Sequence, residues 1–138
     1  MILHEEHKDL FTVPDDYYLA HCIAEDLRMG AGIAVPMCAK FGLRKALAHQ
    51  NVAYPTCVLT GRVFNLITKK DSWRKPSYAS LELALREMRR LVQENGVKKI
   101  AMPRIGCGLD RLEWKHVNQM LVAAFAGTDV EIIVCTWP

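Results

Sequence analysis

Short runs of residues that are apolar on both sides alternate along this chain with longer runs whose apolar positions recur every three or four residues. Residues 17–23 are apolar without alternation, as an inner strand of a parallel sheet is, and so are 97–102, which Pro103 stops. Residues 56–60 and 62–68 read as two further strands, and with so short a turn around Gly61 they form a hairpin. Residues 130–135 supply a last strand, and 2–7 a short edge strand ahead of a turn at Asp15-Asp16. Helical spacing carries Leu81, Leu85, Met88, Leu91 and Val92, with Ser77 or Pro76 opening the helix and Asn95-Gly96 ending it. Further helices are predicted over 33–41, 43–49 and 113–125. Pro36 fits the first of these only within its opening turn, where a missing N–H is not needed, so that helix begins near Gly32. Strands alternating with helices, one pair of strands antiparallel, predict the α/β class: a three-layer α/β/α sandwich around a mixed central sheet.

With 138 residues, 51% of them hydrophobic, the chain is expected to form one domain over 1–138. Its five cysteines are scattered, with no C-x-x-C pair, which predicts reduced thiols and an intracellular protein, cytoplasmic or nuclear. Met1-Ile2-Leu3 runs directly into charged residues, so no signal sequence is expected, and no apolar run is long enough to span a bilayer. No membrane partner is therefore expected. The five histidines show no ligand spacing and no H-E-x-x-H, so neither a metal nor another cofactor is predicted. A formal net charge of +3 tolerates a nucleic-acid partner without demanding one.

Candidate chemistry enters at two loops. Gly30-Ala31-Gly32 follows the strand at 17–23, and Arg104-Ile105-Gly106-Cys107-Gly108-Leu109-Asp110-Arg111 follows the strand at 97–102; each precedes a helix. A Gly-x-Gly loop lets backbone N–H groups turn inward without a Cβ in the way, and a following helix N-terminus adds a positive dipole end, so each loop suits a phosphate. Two such loops at the carboxyl edge of one sheet suit a diphosphate. The first lacks the Lys-Ser/Thr of a P-loop and has Val35 where a dinucleotide fold needs a third glycine. Asp110 beside an anion site requires either an arginine partner or a task on the substrate, and Arg104 and Arg111 could bind phosphate or pair with Asp26 or Asp110.

The stretches Leu19-Ala20-His21-Cys22-Ile23, Glu25-Asp26, Arg28-Met29-Gly30-Ala31-Gly32-Ile33-Ala34-Val35, Leu66-Ile67-Thr68-Lys69-Lys70 and Met102-Pro103-Arg104-Ile105-Gly106-Cys107-Gly108-Leu109-Asp110-Arg111 are collinear and span nearly the whole chain. Together they resemble the terminal ADP-ribose protein glycohydrolase branch of the macrodomains. The resemblance implies an α/β/α fold that binds ADP-ribose, with Asp9 at the adenine, Gly30-Ala31-Gly32 around the distal ribose and phosphate, and Ile105, Gly106, Cys107, Gly108 and Leu109 around the diphosphate. It further implies substrate contacts from Leu10, His21, Arg28, Met29, Ile33, Thr68, Pro103 and Trp137, and a catalytic pair, Lys69 and Asp110. Members of this family remove mono-ADP-ribose from acidic side chains and hydrolyse O-acetyl-ADP-ribose, and a bacterial sub-branch removes ADP-ribose from DNA bases. The implied partners are thus ADP-ribose and ADP-ribosylated macromolecules, protein first and DNA second, acted on by a monomer. This chain departs from the pattern at Lys8, where the family has glycine, and at Ala24, where a eukaryotic relative has serine.

Cleaving an ester at the anomeric carbon of ribose needs one group to capture developing positive charge and another to manage protons, with no redox step and no obligatory metal. Lysine can do the first when neutral and an aspartate the second. Strand alternation puts Lys69 and Lys70 on opposite faces, so only one of them reaches the ribose, and the resemblance selects Lys69. Without it, either lysine reads as a solvated charge at a strand end. Cys107 between two glycines reads as a small residue rather than a nucleophile, and His21 in an apolar strand as a satisfied core residue rather than a base. The basic loop 69–75, with Trp73 in it, is compatible with contacts to single-stranded nucleic acid and equally with a solvated lid. A non-catalytic reader of ADP-ribose is the competing expectation; diphosphate binding alone requires neither Lys69 nor Asp110.

Overall fold

The strand β2 (Tyr18–Ala24) lies in the middle of a six-stranded sheet, hydrogen-bonded in parallel to β4 (Val63–Lys69) on one side and to β5 (Lys99–Met102) on the other. The computed structural model describes residues 1–137. Outward from this centre, β5 pairs in parallel with β6 (Glu131–Trp137), which pairs in parallel with β1 (Ile2–Asp9) at one edge. At the other edge β3 (Thr56–Thr60) pairs antiparallel with β4 through the turn at Gly61, so the sheet is mixed and its order is β1-β6-β5-β2-β4-β3.

Both faces of the sheet are covered, which is why its inner strands are apolar throughout. On one face Ala20, Phe64, Leu66, Ile100, Ile132 and Val134 pack against α3 (Tyr78–Glu94) and α4 (Trp114–Phe125). On the other, Leu19, Ile23, Val63, Ile67, Ala101 and Ile133 pack against α1 (Ala34–Phe41), α2 (Leu43–Leu47) and a single 3-10 turn, Leu10–Thr12. The longest helix, α3, buries Leu81, Ala84, Leu85 and Met88 completely. Its start is fixed by a capping box in which Ser77 Oγ accepts from Ser80 N and Ser80 Oγ accepts from Ser77 N, a serine doing what Glu or Gln usually does. Pro36 sits in the opening turn of α1, where no backbone donor is lost.

Element types agree with the pattern read from the sequence, and the differences lie at their ends. β1 runs to Asp9 because it keeps pairing with β6, which itself continues to Trp137. The strand expected from residue 97 begins at Lys99, since Val97 N still donates to Val92 O at the end of α3. The second of the short helices ends at Leu47 rather than at residue 49.

One polar pair is sealed inside the apolar layers. His21 and Asn65 are fully buried neighbours on β2 and β4, with His21 Nε2 2.7 Å from Asn65 Oδ1. The Asn65 amide nitrogen donates to Val58 O, Thr60 Oγ1 and Val63 O, so its Oδ1 faces the ring and the proton resides on His21 Nε2. Burial depresses the imidazole pKa to about 4, against a smaller opposing contribution from the Asn65 hydrogen bond. Because the unfolded chain takes up this proton near pH 6.5 and the folded chain only near 4, stability falls as pH drops through that window. The expected loss between pH 7 and 4.5 is about 2–3 kcal/mol. Urea unfolding of the wild type and His21→Gln at the two pH values measures it; equal losses in both proteins would remove His21 as the cause.

Candidate active site

Three strands deliver the site. β5, β2 and β4 are consecutive in the sheet and parallel, so the segments that follow them, 103–113, 25–33 and 70–77, emerge side by side at the carboxyl edge. Between them lies a cleft of about 640 Å³, within the usual size range of small-molecule sites. Its first loop contributes Arg28, Met29, Gly30, Ala31, Gly32 and Ile33, and its second Pro103, Arg104, Ile105, Gly106, Gly108, Leu109 and Asp110. A smaller cavity of about 390 Å³ among Val92, Gly96, Lys98, Thr128 and Asp129 lies where α3 runs into β5 and α4 into β6, and has none of the candidate groups.

The backbone of both loops is bent where the cleft needs it. Gly106 has φ +72°, and a Cβ there would come within 3.0 Å of Leu112 Cδ1. Gly30 differs: nothing lies within 4 Å of where its Cβ would stand. Leu27, Met29 and Arg111 adopt left-handed φ values of 57°, 47° and 60° without being glycine, conformations that tend to gather at functional loops. Arg44 holds the first of these turns from outside by donating to the carbonyls of Leu27 and Arg28.

Lys69 reaches the cleft through a bulge. The β2–β4 register passes from Ile23 opposite Ile67 to Ala24 opposite Lys69, leaving Thr68 unpaired, and such an extra residue re-aims the side chain that follows. Lys69 Nζ lies 2.7 Å from Asp110 Oδ1 and 3.2 Å from Ser72 O, and the two charged side chains are each only 14% exposed. The pair is thus brought together across 41 residues of sequence, at the floor between the glycine loops.

Several expected contacts lie elsewhere. His21 is sealed in the core, and Leu10 is 2% exposed in the core as well. Thr68 is also buried, its carbonyl accepting from Ser80 Oγ; Thr68 Oγ1 and His21 Nδ1 are the buried side-chain polar atoms without a hydrogen-bond partner among the described residues. Cys107 turns away from the cleft lining, packs on the α3/α4 face and points its Sγ at Ile105 O. Asp9 caps the 3-10 turn by accepting from Phe11 N, and stands opposite the half-exposed Trp137 at the carboxyl ends of β1 and β6. These two residues share the sheet edge with the cleft without lining it.

The arginine pairings considered from the sequence are not formed: Arg104 pairs with Glu5 at 2.8 Å and lies over the Trp114 ring, while Asp26 takes its hydrogen bonds from Ser72 and Arg28 N. Burial raises the Asp26 carboxyl, but those hydrogen bonds outweigh it and hold the group below the usual carboxylate range. Sequence reasoning did not single out Cys22, Ile23, Ala34, Ser72 or Lys75 as lining residues, and noted Ala24 only as a departure from the family pattern near the distal ribose. Ser72 and Lys75 sit in the basic loop it did flag. Burial pushes the Cys107 thiol up to about 11 and Cys22 still higher, so neither is a thiolate at neutral pH. Among the described residues, no group of three His, Cys, Asp or Glu could hold a metal ion and no helix is long and apolar enough to cross a membrane.

The Macro domain family model matches residues 51–121, which include both Lys69 and Asp110. ADP-ribose glycohydrolase OARD1 of Homo sapiens is 47% identical to this chain over 132 residues, covering 93% of the chain and 87% of that protein. The chain belongs to the macrodomain family. The extent of that identity agrees with the branch the sequence motifs implied. Among solved structures, the macrodomain of Mycobacterium tuberculosis DarG superposes with a TM-score of 0.85 over 99% of this chain and 97% of that one, at 23% identity, which speaks for the fold. The DNA ADP-ribosyl glycohydrolase of Mycobacterium tuberculosis is 35% identical over 74 residues, 52% of this macrodomain and 21% of that protein.

Proposed function

We propose that this macrodomain is an ADP-ribosyl glycohydrolase that releases ADP-ribose from acidic side chains. The observation that carries the reading is the Lys69–Asp110 contact of 2.7 Å on the floor of a cleft walled by two glycine loops. The loops suit the diphosphate, and Asp9 and Trp137, further along the same edge, suit the adenosine end. A lysine and an aspartate in contact are more than a diphosphate needs and fit chemistry at the distal ribose.

In this reading Asp110 accepts a proton from Lys69, and the neutral amine attacks the anomeric carbon. The carbon–oxygen bond to the carrier breaks, and the carrier leaves as a carboxylate. Asp110 then manages the protons as water replaces the lysine, giving free ADP-ribose and regenerating the amine. No metal or other cofactor enters these steps. O-acetyl-ADP-ribose is a further substrate that the same cleft would admit. The protein would act as a monomer inside the cell, and its five free cysteines lend support to the second of these, the intracellular setting.

Removal of ADP-ribose from DNA is the second reading, favoured by one feature: Trp73, beside the cleft in the basic loop, is 72% exposed and carries Arg74 stacked 4.6 Å over its ring. Parallel release assays on ADP-ribosylated glutamate and ADP-ribosylated DNA decide between them. Faster release from glutamate, little changed by Trp73→Ala, is expected. A large preference for DNA that Trp73→Ala abolishes would reverse the order, and tight ADP-ribose binding with no release from either would make the protein a reader.

A further inference from the structure

The loop from Lys70 to Pro76 is tied to both of the other loops that wall the cleft. At one end, Asp26 Oδ2 accepts from Ser72 N at 2.8 Å, and Asp26 Oδ1 accepts from Ser72 Oγ at 2.7 Å and from Arg28 N at 3.0 Å. The carbonyl of that same Ser72 accepts from Lys69 Nζ at 3.2 Å. At the other end, Lys75 Nζ donates to the carbonyl of Leu109, the residue before Asp110, at 2.6 Å. Between the ends the loop is braced on itself, with Arg74 N donating to Asp71 O and Arg74 Nε to the Asp71 carboxylate. Its exit is anchored by the buried Pro76 and the cap of α3.

We infer that this segment is a strut that sets the geometry of the reacting pair, and that Asp26 and Lys75 are positioning residues acting through it. Asp26 anchors Ser72 through its N–H and its hydroxyl, and the carbonyl of the residue so held is one of the two acceptors that aim Lys69 Nζ. Lys75 fixes the peptide that leads into Asp110, which is the other. Asp26 and Lys75 are exposed, so their hydrogen bonds contribute little to global stability. An exposed carboxylate taking three donors, and an exposed lysine ordered onto a main-chain carbonyl, forgo water for geometry. Near reacting atoms, geometry is the more valuable: a displacement of about 1 Å can cost on the order of 100-fold in rate. The inference rests on the glycohydrolase reading for its meaning in catalysis, though not for its structural content.

Turnover of an ADP-ribosylated peptide and binding of ADP-ribose are to be measured for Asp26→Ala, Ser72→Ala, Lys75→Met and the Asp26→Ala/Ser72→Ala pair. Asp26→Ala is expected to lower kcat on the order of 100-fold and Lys75→Met about tenfold, with ADP-ribose affinity held within about threefold. Adding Ser72→Ala to Asp26→Ala should cost nothing further, because both act through one contact. Since the first loop also lines the cleft, a variant that merely loosened it would weaken ADP-ribose binding at least as much as turnover, and that pattern overturns the strut. Lysine-selective 15N spectra supply a readout independent of activity. In the wild type the Lys69 ammonium, enclosed between two oxygens, should give a resolved signal that Asp26→Ala and Lys75→Met shift or broaden. An unchanged signal in both variants sinks the inference even if wild-type turnover is normal. A shifted signal in a protein with no turnover upholds the strut and removes the glycohydrolase reading instead.

Discussion

Lys69→Ala is expected to lose about 10²–10⁴-fold in turnover while keeping most of its affinity for ADP-ribose. The glycine loops, which supply the phosphate contacts, do not depend on the lysine side chain, whereas the interaction it would make with the anomeric carbon exists only on the way to the transition state. Loss of an interaction of that kind lowers kcat and kcat/KM together. Asp110→Ala should lose turnover comparably, for a different reason. It leaves the Lys69 amine with only the Ser72 carbonyl of its two partners and with no group to move protons. Intact-mass measurement after substrate incubation and reductive trapping tests the covalent step, and an adduct mapped to Lys69 is the expected product. Near-normal turnover in Lys69→Ala would return this residue to a charge at the end of β4.

Gly30→Val is expected to abolish the rise in Tm that ADP-ribose produces while leaving the Tm of the free protein nearly unchanged. Nothing lies within 4 Å of the added Cβ, so the protein does not resist it; only a ligand occupying the cleft would. Gly106→Val should also block binding, but with a lowered Tm of its own. Its φ of +72° suits no β-branched residue, and the new carbon meets Leu112 at 3.0 Å, so a destabilisation of roughly 1–3 kcal/mol accompanies the loss. Thermal-shift titration of the three proteins with ADP-ribose and with adenosine separates the cases. A full ADP-ribose shift in Gly30→Val, or equal shifts by adenosine and ADP-ribose in the wild type, would move the diphosphate away from the glycine loops.

Much of this was legible in the sequence because it depends on local pattern. Residues 17–23 and 97–102 could be placed inside a parallel sheet because both of their faces are apolar, and the glycines after them could be placed at its carboxyl edge. Ser77 announced α3, and Gly61 the hairpin. What could not be read depends on contacts across the fold. Nothing near Asp26 in sequence indicates that it is bonded to Ser72, or that Arg104 would choose Glu5, 99 residues away. The bulge at Thr68 is equally silent: alternation separates Lys69 from Lys70, but only the register against β2 shows how Lys69 comes to face Asp110. His21 shows the opposite limit. Its apolar surroundings pointed to the core while the family resemblance pointed to substrate, and the residues around it decided for the core through Asn65.

The order of the strands bears on how the protein comes to be folded. Two pairs join strands consecutive in sequence, β3–β4 through a tight turn and β5–β6 through α4, whereas the other neighbour of β5 is β2, drawn from near the start of the chain. Closing the hairpin is fast, whereas the parallel pairings must first close long loops, a cost met before their contacts are gained. Lys69 belongs to the fast part. Asp110 belongs to the slow part, because it follows β5, which comes beside β4 and its lysine only through the long-range parallel pairings of β2. A refolding chain is therefore expected to acquire its lysine early and its aspartate late, and the pair can meet only once β2 has joined β4 to β5.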